Sequence, residues 1–158
     1  MRNWRLRFTI IRVSVAADIL RARQLLDRQE SFEALTLLER AFRQAPDDPQ
    51  VRSFFGLVMA LERGQVRASI VLCRQALESA PERPELYVNL ARVYLKAGQK
   101  DDAVQVLRDG LVHDAANPDL LATLHGLGTR HRRVVRSLPR SHPLNKYLGL
   151  AATRLGLR

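Results

Sequence analysis

At 158 residues the chain fits one compact domain or one short solenoid with tails, long enough to bury a core without metal or disulfide support. Hydrophobic residues at 46% and charged residues at 27% exclude a disordered chain, and no apolar run reaches the ~18–20 residues that cross a bilayer. The net charge of +10 sits at the two ends: four arginines and no acid precede Asp18, eight basic residues and no acid follow Asp119, and the middle is near neutral. Cys73 is the one cysteine, which excludes an internal disulfide and a cysteine-built zinc site. It reads as a small core residue in a reducing compartment, and a cytoplasmic location is expected.

The first seventeen residues carry two periodicities. Trp4, Leu6, Phe8 and Ile10 alternate with polar residues as in a strand, whereas Trp4, Phe8, Ile11 and Val15 form a stripe at helical spacing. The helix is the preferred reading, leading directly into the first repeat. Arg12 breaks the apolar run Phe8–Ile11 after four residues, so no cleaved signal peptide is expected. An amphipathic helix bearing tryptophan and arginine also suits a membrane surface, a partner or a second copy of the chain.

From about residue 15 the pattern becomes repetitive. Ala34, Leu38, Ala41 and Pro46 are matched by Ser69, Cys73, Ala76 and Pro81, and again by Ala103, Leu107, Gly110 and Ala115. The stretches recur at 35 and 34 residues, with helices expected near 15–28, 31–44, 50–62, 65–79, 84–97 and 100–113. Small residues such as Ala22 and Ala34, or Ala91 and Ala103, allow two helices to approach closely. Gly64 and Gly98 permit the positive φ that ends a helix, and Pro46, Pro81 and Pro84 block continuation. Ser31 reads as an N-cap, and Asp101 and Asp102 suit the positive end of a helix dipole. Phe55-Gly56 falls one residue out of phase, which predicts an extra residue in that inter-helix turn.

These residues resemble the tetratricopeptide repeat, a helix-turn-helix unit, over about residues 15–117. Tyr87, Leu90, Ala91, Tyr94, Gly98, Ala103, Leu107 and Gly110 give the fullest match, and Gln29 stands where the turn glycine is usual. The resemblance implies an all-α solenoid of about three repeats (15–48, 49–83 and 84–117) behind a basic N-terminal arm at 1–14. Residues 118–158 then form a capping helix and a basic extension. Asn117 and Pro118 open that capping helix, whose apolar side is Leu120, Leu121, Leu124 and Leu127. A final helix is expected from about Ser141 to Leu155, with Leu144, Tyr147, Leu148 and Ala151 as its stripe.

No catalytic constellation survives inspection of the chain. His113, His125, His131 and His142 lack helical pairing with one another, Gly126-Leu127-Gly128 lacks the strand and third glycine of a phosphate loop, and the aspartate pairs sit at turns. The expectation is a non-catalytic protein-interaction module without a cofactor or metal. The resemblance implies that the concave face binds a partner through Ile19, Arg23, Phe54, Val58, Val88, Asn89, Arg92 and Lys96. Apolar and cationic groups together suit an acidic or amphipathic segment. Some members of the family hold a C-terminal carboxylate in a clamp, toward which Asn89, Arg92 and Lys96 point, although repeats one and two lack the matching residues. The alternative is a nucleic-acid- or ribosome-associated factor led by the basic tail, Arg130, Arg132, Arg133, Arg136 and Arg140. Peripheral membrane contact through residues 1–17 and self-association are further alternatives.

Overall fold

The computed structural model describes the backbone of residues 3–128 and the side chains of residues 13–128. The basic tail residues Arg130, Arg132, Arg133, Arg136 and Arg140 and the helix expected near 141–155 lie outside the described residues. The described residues form seven α-helices and no strand. They are α1 (Asn3–Asp27), α2 (Ser31–Gln44), α3 (Pro49–Arg63), α4 (Val66–Ser79), α5 (Pro84–Lys96), α6 (Lys100–His113) and α7 (Pro118–Gly126). Helix is thus the conformation of the N-terminal segment from Asn3, and it runs into the first repeat without a break.

Two kinds of turn alternate along the chain. Within each repeat one residue takes a left-handed conformation, Gln29 (φ 64°), Gly64 (φ 64°) and Gly98 (φ 74°), and the next helix starts two residues later. Between repeats the links 45–48, 80–83 and 114–117 share one bonding pattern. Their first amides reach back to Ala41, Ala76 and Gly110, and their last amides, from Asp48, Arg83 and Asn117, reach the carbonyls of Ala45, Ala80 and Asp114 at 3.2–3.3 Å. Pro49, Pro84 and Pro118 then open the following helices, where a missing N–H costs nothing. Asp48 and Asn117 cap them by accepting two amides each, at 2.9 and 3.2 Å and at 3.1 and 3.1 Å.

Two expectations about these turns are corrected. Ser31 is not an N-cap: with the left-handed residue at Gln29, the helix begins one residue early and Glu30 takes the cap position. The Ser31 hydroxyl instead bonds the carboxylate of Glu62 in α3. The additional residue of repeat two is also not in the inter-helix turn, which matches its counterparts. It lies in the last turn of α3. Helices α1 and α5 close with Glu30 N–H to Leu25 O (2.9 Å) and Gln99 N–H to Tyr94 O (2.9 Å), each five residues back. At the end of α3 the Met59 carbonyl receives Gly64 N–H and, at 3.4 Å, Gln65 N–H, five and six residues back. A widened turn takes up the residue while keeping the polar backbone groups partnered.

The first helix of each repeat, α1, α3, α5 and then α7, touches its counterpart in the next, while α2, α4 and α6 each wedge between two of them and do not touch one another. The first helices therefore line the inner side of the described unit and the second helices the outer side. Between the two helices of a repeat the contact is made by small residues: Ala22, Ala34, Ser69, Ala91 and Ala103 are all fully buried. In repeat two the partner of Ser69 is Gly56, where a Cβ would lie 2.9 Å from Cys73 Sγ and 3.1 Å from the Ser69 carbonyl. Leu38, Leu57, Leu86, Leu90, Leu107 and Leu120 are fully buried around these contacts, each stabilising the fold by roughly 1.5–3 kcal/mol. On α7, Leu120 and Leu124 are buried while Leu121 and Leu127 are half-buried, so this helix closes the end of the core against α5 and α6.

Candidate binding groove

A groove of about 480 Å³ runs along the inner side of the described helices. Its apolar floor is Leu26 of α1, Phe54 of α3 and Val88 of α5, and Ala122 and Thr123 of α7 form one wall. Arg23, Asp27, Glu85, Arg92 and Asp119 supply its charges. Consecutive first helices place these residues one turn apart, because residues three and four apart share a helix face: Arg23, Leu26 and Asp27 on α1, and Glu85, Val88 and Arg92 on α5.

Of the eight residues expected on this surface, Arg23, Phe54, Val88, Asn89 and Arg92 come together in the groove. Ile19 and Val58 do not; both are buried in the core. Ile19 belongs to the stripe Val15, Ile19, Ala22 and Leu26, which α1 turns toward the rest of the core. Lys96, at the C-terminal end of α5, is exposed and is absent from the groove lining. Asn89 is nearly buried, and its Nδ2 donates to Ser53 Oγ at 3.1 Å, so its amide ties α5 to α3. The Ser53 carbonyl in turn accepts from Cys73 Sγ at 3.4 Å.

The electrostatics of the groove also differ from the cationic surface expected. Two guanidinium groups face three carboxylates, Asp27, Glu85 and Asp119. Arg23 Nη2 donates to Asp119 Oδ2 at 3.1 Å, which links the first and last described helices across the groove. Glu85 accepts from Gln50 Nε2 at 2.7 Å. Arg92 is half-buried; burial holds its guanidinium below the usual arginine range, and the Asp27 carboxylate works in the opposite direction. It stays charged, because arginine starts so far above neutrality.

Asp27 and Glu85 stand one turn from predicted residues and were within reach of the helical spacing. Asp119 was not, because α7 reads from sequence as a cap. Yet Pro118-Asp119 repeats the register of Pro49-Gln50 and Pro84-Glu85, and α7 continues the inner row as a fourth first-type helix. Elsewhere, Asp18 is nearly buried and is held by Arg40, whose Nε lies 2.9 Å from Oδ2. Among the described residues no group of three or more His, Cys, Asp or Glu could hold a metal ion, and no helix is long and apolar enough to cross a membrane.

Residues 60–126 match the family model described as tetratricopeptide repeat, and the helix pairs around them have the alternating turns and inner row expected of it. Residues 60–126 are thus tetratricopeptide repeat. A stretch of 66 residues is 42% identical to cellulose synthase operon protein C of Pseudomonas fluorescens (strain SBW25), covering 41% of this chain and 5% of that protein. Another relation, 33% over 78 residues, is to interferon-induced protein with tetratricopeptide repeats 2 of Cricetulus griseus, covering 49% of this chain and 16% of that one. The chain thus spans less than a fifth of the length of these curated relatives. Among solved structures, the second tetratricopeptide-repeat domain of human RPAP3, determined with the HSP70 peptide SGPTIEEVD, superposes with a TM-score of 0.55 at 11% identity. That likeness covers 74% of this chain and 97% of the domain, and it concerns the fold.

Proposed function

We propose that the tetratricopeptide-repeat unit binds a peptide or helix of another protein in the groove lined by α1, α3, α5 and α7, and that the chain acts as a scaffold, adaptor or assembly factor. The observation that carries this reading is the groove itself, an apolar floor of Leu26, Phe54 and Val88 edged by charges of both signs. Apolar floors supply affinity, and fixed charges supply register and selectivity. Arg92 offers a site for a ligand carboxylate, and Glu85 with Asp119 offers one for a basic group. The RPAP3 domain of similar fold was determined with a peptide, which supports a peptide-sized ligand. Three carboxylates argue against an all-acidic tail as the ligand, so a segment carrying both signs of charge around apolar residues is the better fit.

The test is affinity capture from native lysate with the full chain and with Val88→Asp and Arg92→Glu, washed at low and moderate salt. One protein partner retained by the parent at both salts and lost by both variants is the expected result. Capture that ignores the variants, collapses with salt and brings nucleic acid along would move the function to the basic ends, since contacts between several arginines and phosphates weaken steeply with salt.

A further inference from the structure

A second surface, on the side of α1 and α2 away from α3, is independent of the groove. With the repeats superposed on their small contact residues Ala22, Gly56 and Ala91, Leu20 and Arg21 of α1 occupy the positions of Phe54 and Phe55 in α3 and of Asn89 and Leu90 in α5. In the later repeats these positions are covered by the repeat before. Phe55 stacks on Phe42 of α2, with ring centroids 4.6 Å apart, and Asn89 bonds Ser53 of α3. Tyr94, the counterpart of Leu25, receives a hydrogen bond from Arg74 Nε of α4 at 3.0 Å.

No described residue covers α1 in this way. Leu20 is 61% exposed and Phe32 of α2 is 67% exposed. They flank two shallow depressions that share Arg21 and Leu25 and together reach from Ala17 to Leu37. Val13, Ala17 and Leu20 continue the apolar line along α1 at helical spacing. By its place in the repeat, the α1 side of the seat corresponds to the faces of α3 and α5 on which α2 and α4 pack.

The charges around the seat select the occupant. Arg21 and Arg28 are exposed on its α1 side with no ion-pair partner among the described residues, Arg40 is paired with Asp18, and Glu33 is the acid at its edge. A second copy would bring arginines against arginines. We infer that this face docks an amphipathic helix of a partner protein, with apolar residues at positions i, i+4 and i+7 and carboxylates flanking them. The partner helix takes the place that the preceding repeat holds against α3 and α5, with its carboxylates beside Arg21 and Arg28.

The experiment uses the full chain and two fluorescein-labelled synthetic helical peptides sharing one leucine stripe, flanked by glutamates in the first and by lysines in the second. Anisotropy titration should show the glutamate peptide bound at least about tenfold more tightly than the lysine peptide. Leu20→Asp with Phe32→Asp should weaken it by about tenfold or more, and Arg92→Glu should leave it unchanged. Arg21→Glu with Arg28→Glu should reverse the preference toward the lysine peptide. Equal or absent binding of the two peptides, or loss with Arg92→Glu instead of with the Leu20 and Phe32 pair, would overturn the inference. So would sedimentation of the parent as a dimer that the Leu20 and Phe32 substitutions dissociate, because the face would then belong to a second copy.

Discussion

Cys73 illustrates how much of this fold depends on small volumes. Its thiol lies in the tight contact between α3 and α4 and donates to the Ser53 carbonyl, and burial pushes its pKa up to about 12. A neutral, enclosed thiol is a poor nucleophile, so iodoacetamide should label native protein negligibly and label it fully in denaturant, which mass spectrometry can follow. The same shift couples to stability. Between the ordinary thiol value of 9.0 and about 12 the unfolded chain ionises Cys73 while the folded chain does not. That contribution is whole below 9.0 and is lost as pH rises toward 12. Denaturant midpoints of parent and Cys73→Ala should therefore converge with pH over that window. Gly110 sets a second volume limit. A Cβ there would stand 2.9 Å from Tyr87 Cγ and 3.1 Å from Leu120, and Tyr87 is anchored by its hydroxyl to the Pro81 carbonyl at 2.8 Å. Alanine would gain about 1 kcal/mol in helix propensity, against about 1–3 kcal/mol of overpacking. Gly110→Ala should lower stability by about 1 kcal/mol in urea titration.

At the level of the helices, the turns decide where each element begins and ends. Gln29 holds a φ of 64° where the later repeats have Gly64 and Gly98. A left-handed conformation costs an L-residue roughly 1–2 kcal/mol, while glycine returns part of that through its freer unfolded chain. Gln29→Gly should raise stability by about 0.5–1 kcal/mol, measured as a shift of the urea midpoint at unchanged slope. The helix boundaries were legible because prolines and glycines act locally: Pro49, Pro84, Pro118, Gly64 and Gly98 stand where the structure breaks the helices. Ser31 misled for the converse reason. A serine before an apolar run is a fair cap signal, but the end of α1 fixes where α2 can begin, and the side chain is then free to reach Glu62. The phase slip at Phe55-Gly56 was visible as well. Its location was not, because spacing alone cannot tell a longer turn from a wider one.

Across the described unit, contacts run between neighbouring helices and stability is close to a sum of adjacent interfaces. Helices α3 and α5 are bordered on both sides by helices of both rows, whereas α1 and α7 stand at the ends of the inner row. Native-state hydrogen exchange should show α3 and α5 protected most, with α7 and the start of α1 exchanging by local opening. The Arg23–Asp119 link will not change that order, since both partners are more than half exposed and such pairs contribute about 0–1 kcal/mol. The inner face as the candidate surface was legible from the repeat; its charge was not. Arg23 and Arg92 stand out in the sequence as cations, but their neighbours Asp27, Glu85 and Asp119 come from three different helices, and α7 joins the row only once the chain is folded. Asn89 likewise looks like a free amide until Ser53, 36 residues earlier, is seen to hold it.

The widened last turn of α3 bears on the length of a repeat. One inserted residue in a regular helix rotates everything beyond it by about 100°, which would swing a whole repeat out of line. Here the added residue is absorbed before Gly64, and the helices on either side keep their places. Repeat length in this molecule is therefore not uniform, 35 residues against 34, while each left-handed residue still stands two before the next helix.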